Sequence, residues 1–170
     1  YSGNDAATAI AEYVGGSEEA FVNMMNRRAQ ELMANGTHFM NPHGLHDDNH
    51  YTTAYDLYLI FNECIKHKDF VNIIQSEAYT AYYTDVDGNS QEALFTPTNL
   101  YAQGEVDVPE NVTIVGGKTG TTDEAGYCLI LMEKDSSDNP YISIVMGASE
   151  KPVLYEDMTS LIEAIPSGQQ

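Results

Sequence analysis

Two apolar runs, Val112 to Val115 and Tyr127 to Met132, flank the stretch Gly116-Gly117-Lys118-Thr119-Gly120-Thr121-Thr122. This arrangement constrains the fold more than any other part of the chain. Short apolar runs rich in β-branched residues and bounded by glycine and turn residues read as strands. The first strand then carries one cation and several hydroxyls on its exposed side, and its neighbour is buried. The glycines leave no side chain there, so another backbone can approach closely. Such an edge can hold a carboxylate: the ammonium supplies charge, and hydroxyls and free N–H groups supply directed donors. The same residues also fit a solvated strand end running into a turn, and Lys-Thr-Gly alone is too short to decide between the two.

The rest of the chain supplies packing partners for these strands. Tyr141 to Met146 reads as a third strand, and the short connections make the three an antiparallel meander. Leu154, Met158, Leu161, Ile162 and Ile165 form one stripe of a helix over 153–165, expected to lie on that sheet. Asp87-Gly88-Asn89 is a turn signal joining Tyr79–Thr84 to Glu92–Thr96 as a hairpin. Gly104 to Asn111 is an acidic loop, and 166–170 resembles the start of a linker.

The first 77 residues are mainly helical in pattern. Ala6, Ile10 and Val14 space a helix over 5–14, with Asn4 or Asp5 as its cap and Gly15-Gly16 as its break. Ser17, followed by Glu18 and Glu19, caps a second helix that runs to about Asn35. It buries Phe21, Met25, Leu32 and either Ala29 or the Arg28 stem, with Gly36 as C′ residue and Met24, Met25 and Met33 as core filler. Thr53 to Asp56 has capping-box spacing. The helix it opens, Ala54 to about Lys66, buries Leu57, Ile60, Phe61, Cys64 and Ile65, and a shorter helix carries Phe70, Ile73 and Ile74. The fold class is α/β in the α+β sense: a helical lobe over 1–77, then an antiparallel sheet with a closing helix over 78–165.

Seven basic residues face 26 acidic ones, a formal charge of −19. That surface repels phosphate backbones, so nucleic acid is not expected as a partner. It also serves solubility. No apolar stretch is long enough to span a bilayer, and no signal peptide is recognisable. His38, His43, His46 and His50 crowd the stretch 37–51, yet a loop of glycine, proline and asparagine fixes no ligand spacing. No metal or other cofactor is expected. Cys64 and Cys128 read as small core residues, and spacing does not decide whether they pair.

Several stretches, in order, resemble one family. They are Ser2-Gly3-Asn4-Asp5-Ala6-Ala7, then Gly16 to Val22, then Thr37 to Leu45, then Thr98-Asn99-Leu100, then Lys118 to Cys128. From Tyr1 to about Ser149 the chain resembles the low-molecular-mass D-alanyl-D-alanine carboxypeptidases, which are penicillin-binding serine enzymes. Ser-x-Asn and Lys-Thr-Gly are two of the three motifs of penicillin-recognising enzymes. The third, Ser-x-x-Lys, has no match: no serine here is followed three residues later by lysine. The chain therefore reads as a partial catalytic domain, 1–165, whose upstream part carries the nucleophile, the general-base lysine, two strands and a helix.

The resemblance implies a penicillin-binding/β-lactamase-like transpeptidase fold. It implies acyl transfer on peptidoglycan stem peptides ending in D-Ala-D-Ala, with β-lactams as mimics of that substrate. Lys118 would attract the substrate carboxylate and Thr119 would donate to it, with Gly120 and Thr121 also on the substrate side. The Thr121 N–H would form half of an oxyanion hole. Ser2 would relay protons, and Asn4 would bind the substrate backbone and help fix the missing lysine. The implied location is extracytoplasmic, in the bacterial cell envelope. On its own the chain is expected to be inactive, and either to self-associate through an uncovered sheet edge or to be marginally stable. The alternatives are a non-catalytic peptidoglycan-binding module, or a class A β-lactamase-like hydrolase. Against the latter, Gly3 stands where that family has aspartate.

Overall fold

Residues 1–166 are described by a computed structural model. Four helices open the chain: α1 (Asn4–Gly15), α2 (Glu18–Glu31), α3 (Ala54–Cys64) and α4 (Lys68–Ile74). An antiparallel hairpin of β1 (Tyr79–Thr84) and β2 (Ser90–Phe95) follows, then the short α5 (Leu100–Gln103). β3 (Val112–Thr122), β4 (Gly126–Asp135) and β5 (Pro140–Ala148) form an antiparallel sheet in that order, and α6 (Lys151–Glu163) closes the chain. The expected meander and hairpin are both present. Asp85 organises the hairpin turn by accepting from the N–H groups of Asp87 and Asn89.

The core lies between the sheet and α6. β4 alternates so that Leu129, Leu131 and Glu133 face α6, where Leu154, Tyr155, Met158 and Ile162 meet them. The helical stripe is therefore rotated from the expected one. Tyr155 is buried and Leu161 is 44% exposed, because 154, 155, 158 and 162 lie on one face and 161 falls at its margin.

The helical part departs from the sequence reading at its ends. The N-cap of α1 is Gly3, without a side-chain cap; Asn4 is the first helical residue, and Asp5 accepts from the Ala6 N–H at 2.9 Å. Ser17 does cap α2, accepting from the Ala20 N–H at 3.1 Å. That helix stops at Glu31, short of Asn35, because Met33 turns left-handed at φ 62°. The Ala34 N–H then reaches the Ala29 carbonyl at 2.9 Å and the Met33 N–H reaches that of Gln30 at 3.0 Å. This is a Schellman closure made on methionine. Gly36 is not the terminator; it leaves room for Thr53 and Asp56, which a Cβ there would crowd. Met33 and Met24 are 67% and 44% exposed, so neither fills the core.

Thr53 caps α3 through the Asp56 N–H at 3.1 Å. Asp56 does not return the bond. It is buried and accepts from the Thr37 hydroxyl at 2.8 Å, tying the loop before α3 to the helix start. Cys64 and Cys128 are free and half-buried, and burial pushes the Cys64 thiol pKa up. Pro166 is exposed, and the rest of the expected linker, 167–170, lies outside the described residues.

Candidate functional site

Among the described residues β3 is an edge strand, with no strand partner on one side of its backbone. Gly116 and Gly117 serve close approach, as their lack of side chains suggested. A Cβ on Gly117 would overlap the Ile130 carbonyl, and one on Gly116 would overlap the Ile74 carbonyl at the end of α4. These contacts seat the strand against β4 and the helical part together. Beyond them, Lys118 pairs with Ile130 and Thr119 with Leu129. Since Leu129 faces α6, Thr119 points to the α6 side of the sheet and Lys118 to the opposite side. Consecutive residues of one strand therefore reach two walls of a cleft.

On the Lys118 side the wall is the start of α1. Lys118 Nζ donates to Ser2 Oγ at 2.6 Å and to its neighbour's carbonyl, on Thr119, at 2.6 Å. The Ser2 contact spans 116 positions of sequence. Desolvation in the cleft lowers the Lys118 pKa from the ordinary lysine value. Asn4 lines the same cavity, of about 840 Å³, together with Gly3, Ile10, Pro42, His43 and Lys118. Its side chain is exposed and makes no hydrogen bond among the described residues. Gly120 and Thr121 continue the strand at an exposed position, with nothing near where a Gly120 Cβ would stand.

On the Thr119 side the wall is the segment before α5. Thr98 Oγ1 hydrogen-bonds Thr119 Oγ1. Tyr1 and Phe95, edge to face at 4.9 Å, complete an adjoining cavity of about 250 Å³ with Ile74, Thr98, Gly117 and Lys118. In the sequence, Thr98 stands out only within the family-like stretch Thr98-Asn99-Leu100, and Phe95 only as a hairpin residue. Nothing local in the sequence marks either as facing Lys118 or Thr119.

The resemblance to the carboxypeptidases implies that the histidine loop packs behind the cleft. Instead, Pro42 and His43 line its rim. The loop is tied by local bonds: His38 Nδ1 with the Asn49 carbonyl at 2.7 Å, and His50 Nδ1 accepting from the Met40 N–H at 3.1 Å. Burial lowers the His50 pKa. Among the described residues, no three His, Cys, Asp or Glu side chains converge as metal ligands would.

The family described as D-alanyl-D-alanine carboxypeptidase matches residues 1–150. The chain belongs to that family. It is 33% identical over 162 residues to the D-alanyl-D-alanine carboxypeptidase DacF of Bacillus subtilis, covering 95% of this chain and 39% of the relative. Among solved structures, the Streptomyces K15 DD-transpeptidase matches with a TM-score of 0.82 at 26% identity, covering 94% of this chain and 61% of that one. The carboxypeptidase DacD of Francisella tularensis matches with a TM-score of 0.80 at 25% identity, covering 95% of this chain and 48% of that one. This carboxypeptidase-family chain thus spans about two fifths of the length of DacF. Its α+β fold, with an antiparallel sheet and flanking helices, is that of the DD-peptidases. No helix among the described residues is long and apolar enough to cross a membrane.

Proposed function

We propose that the cleft is the carboxylate-binding and proton-relay side of a serine-type D-Ala-D-Ala carboxypeptidase active site, acting on peptidoglycan stem peptides and open to β-lactams. The observation that carries this reading is the Lys118–Ser2 hydrogen bond, which joins the Lys-Thr-Gly and Ser-x-Asn motifs at one point. Lys118 brings a positive charge to the substrate carboxylate, and the Thr119 hydroxyl donates to it. Ser2, both donor and acceptor, passes a proton between the ammonium side and the leaving amine. Asn4 offers its amide to the substrate backbone, with Gly120 leaving the approach open. The Thr121 N–H stabilises the developing oxyanion. A site missing one such donor loses on the order of 10²–10³ in rate.

The attacking serine and its lysine belong to a Ser-x-x-Lys segment that this sequence does not contain. The catalytic domain is then 1–165 joined to that segment, working in the bacterial cell envelope. The 170-residue chain by itself forms no acyl-enzyme, because the covalent route needs the nucleophile. The outer edge of β5 has no strand partner among the described residues, and it is where a further strand or a second copy would add. A chain that sediments as a compact monomer at high concentration contradicts self-association through that edge.

The test of the function is intact mass after incubation with a fluorescent penicillin, for this chain alone and for this chain mixed with a separately made segment bearing Ser-x-x-Lys. An adduct on the added segment, formed only in the mixture, supports a split carboxypeptidase. A stable adduct on this chain alone refutes the assignment of the nucleophile. A chain that binds stem peptide but never supports an adduct in the mixture favours the peptidoglycan-binding module.

A further inference from the structure

We infer that His50 is an acid-sensitive latch on the rim of the cleft: its neutral imidazole holds the loop 39–50 that carries Pro42 and His43, and protonation of that imidazole releases it. The device shapes the rim and is independent of the ligand that the cleft takes.

An imidazole nitrogen that accepts a hydrogen bond carries no proton. His50 Nδ1 accepts from the Met40 N–H at 3.1 Å, so this ring is neutral, with its proton on Nε2. Protonation puts an N–H on both nitrogens and sets Nδ1–H against the Met40 N–H, which breaks the bond. His38 has the opposite polarity: its Nδ1 donates to the Asn49 carbonyl at 2.7 Å, a bond that acid leaves intact. Burial disfavours the charged form of His50 and lowers its pKa, in line with a ring that works unprotonated. The latch is therefore complete above the ordinary histidine value of 6.5 and is lost as the pH falls through the lowered pKa.

The rest of the loop is tied locally. At its base, His38 and Tyr51 exchange backbone bonds at 2.8 and 3.0 Å, and the Asn26 amide of α2 grips both the N–H and the carbonyl of Phe39 at 2.8 Å. Beyond Phe39, Asn41 accepts from the Gly44 N–H at 2.7 Å and donates to the Leu45 carbonyl at 2.8 Å. Residues 41–45 are thus one turn, with Pro42 and His43 at the cleft. Among the described residues, the Met40–His50 bond is the one hydrogen bond that joins this outgoing arm, 40–45, to the returning arm, 46–50. Without it the turn swings about Phe39. Around the ring, Asp47 favours the imidazolium, and His43, His38 and His46 disfavour it. The elements packed on the loop bring Glu18 of α2, 3.9 Å from His43 Nε2, and Glu124 of the β3–β4 turn, 3.9 Å from His46 Nδ1. Asp48 lies 3.3 Å from His46 Nε2. These three carboxylates attract the other histidines once those are charged, so acid trades the inner latch for contacts at the loop's outer end.

The experiment is an NMR titration of the full chain from about pH 8 to about pH 5, across the ordinary histidine range. It follows the His50 ring nitrogens and the Met40, His43 and Gly44 amides. It is run on the wild type, on His50→Asn, whose side-chain oxygen takes the place of Nδ1 without titrating, and on His50→Phe, which offers no acceptor. At the alkaline end, wild-type His50 is expected to carry its proton on Nε2. As His50 titrates, the Met40 amide is expected to lose about fivefold in protection relative to the unfolded chain, the scale of one hydrogen bond. The His43 and Gly44 signals are expected to shift with the same midpoint. His50→Asn is expected to keep the Met40 protection to the acid end, and His50→Phe to lack it at every pH. Unchanged Leu129 and Leu131 amide positions show that a variant retains the fold, and the wild-type titration decides alone where one does not. A His50 proton on Nδ1 at the alkaline end overturns the latch. So does a Met40 amide that ignores the His50 midpoint. A His50→Asn protein that loses protection along the wild-type pH course also overturns it, leaving another histidine in control.

Discussion

The two parts of the molecule are packed to different standards. Between the sheet and α6, Leu129, Leu131, Met158 and Ile162 are essentially sealed from solvent. In the helical part, α2 and α3 are joined at the surface by the Arg28–Glu63 ion pair at 2.6 Å. Beneath it, Phe21, Met25, Leu32, Phe39 and Ile60 line an apolar cavity of about 500 Å³. The sheet part closes its core with one amphipathic helix. The helical part has apolar faces that do not close on one another. Burial of apolar area and close packing stabilise together, so stability is expected to concentrate in the sheet. The cleft lies at the junction, with Thr119 set by the well-packed side and Ser2 by the looser one.

The sharpest way to break this comparison is a pair of truncations. Leu131→Ala is expected to cost about 3 kcal/mol, because it leaves a cavity in a closed core. Phe21→Ala, on the open groove, is expected to cost about 1 kcal/mol, since much of its surface is never fully removed from water. Chemical denaturation of both variants checks this, and equal losses would mean that the helical part is as well closed as the sheet. Hydrogen exchange sharpens the same point: β4 amides should exchange more slowly than those of α2.

The next effect tests whether the sheet core carries a defect of its own. Glu133 is 0% exposed, and neither carboxylate oxygen has a hydrogen-bond partner among the described residues. Desolvation raises its pKa from 4.5 to about 8; Ser143, beside it on β5, opposes the rise without reaching hydrogen-bond geometry. The folded state thus holds a proton that the unfolded state releases above about pH 4.5. Stability from this group is fully present below that pH, falls as the pH rises toward 8, and is flat above it. Glu133→Gln removes the dependence, and its gain over wild type is expected to be near zero at pH 4 and to grow by about 1.4 kcal/mol per pH unit between about pH 4.5 and 8. Thermal melts from pH 4 to 9 decide this. A constant difference between the two proteins would show that Glu133 titrates in the folded protein as it does in the unfolded chain.

Two smaller effects belong to the helical part. Thr53→Ala removes the α3 cap and is expected to lower stability by about 1 kcal/mol. Glu63→Gln breaks exposed ion pairs with Arg28 and Lys66, and the denaturation midpoint is expected to stay within error. A loss from Glu63→Gln larger than that from Thr53→Ala would show that the surface pair, rather than packing, holds α2 to α3.

Much of the architecture was legible because it is local. Ser17 and Thr53 are caps in sequence and in structure, since a cap needs only its own first turn. Asp87-Gly88-Asn89 closes its hairpin for the same reason: Gly88 takes φ 85° within the turn itself. The Lys118 and Ser2 motifs were legible as types, because charge and hydroxyl chemistry travel with the residue. Met33 was not legible as a helix end. Its left-handed turn is a conformation that a glycine would have advertised, and here the flanking Schellman bonds hold it.

Periodicity and turn chemistry act over a few residues, so the helix and strand segments, and a strand carrying a lysine beside hydroxyls, could be read from the chain alone. The meeting of Lys118 with Ser2, and of Thr119 with Thr98, comes from packing between distant segments. That packing also decided that Glu133 is enclosed and that Tyr155 replaces Leu161 in the core. Each of these depends on the angle at which α6 lies on the sheet or on how β3 seats against α4, and those angles are set by packing between distant segments, which no short window of sequence contains.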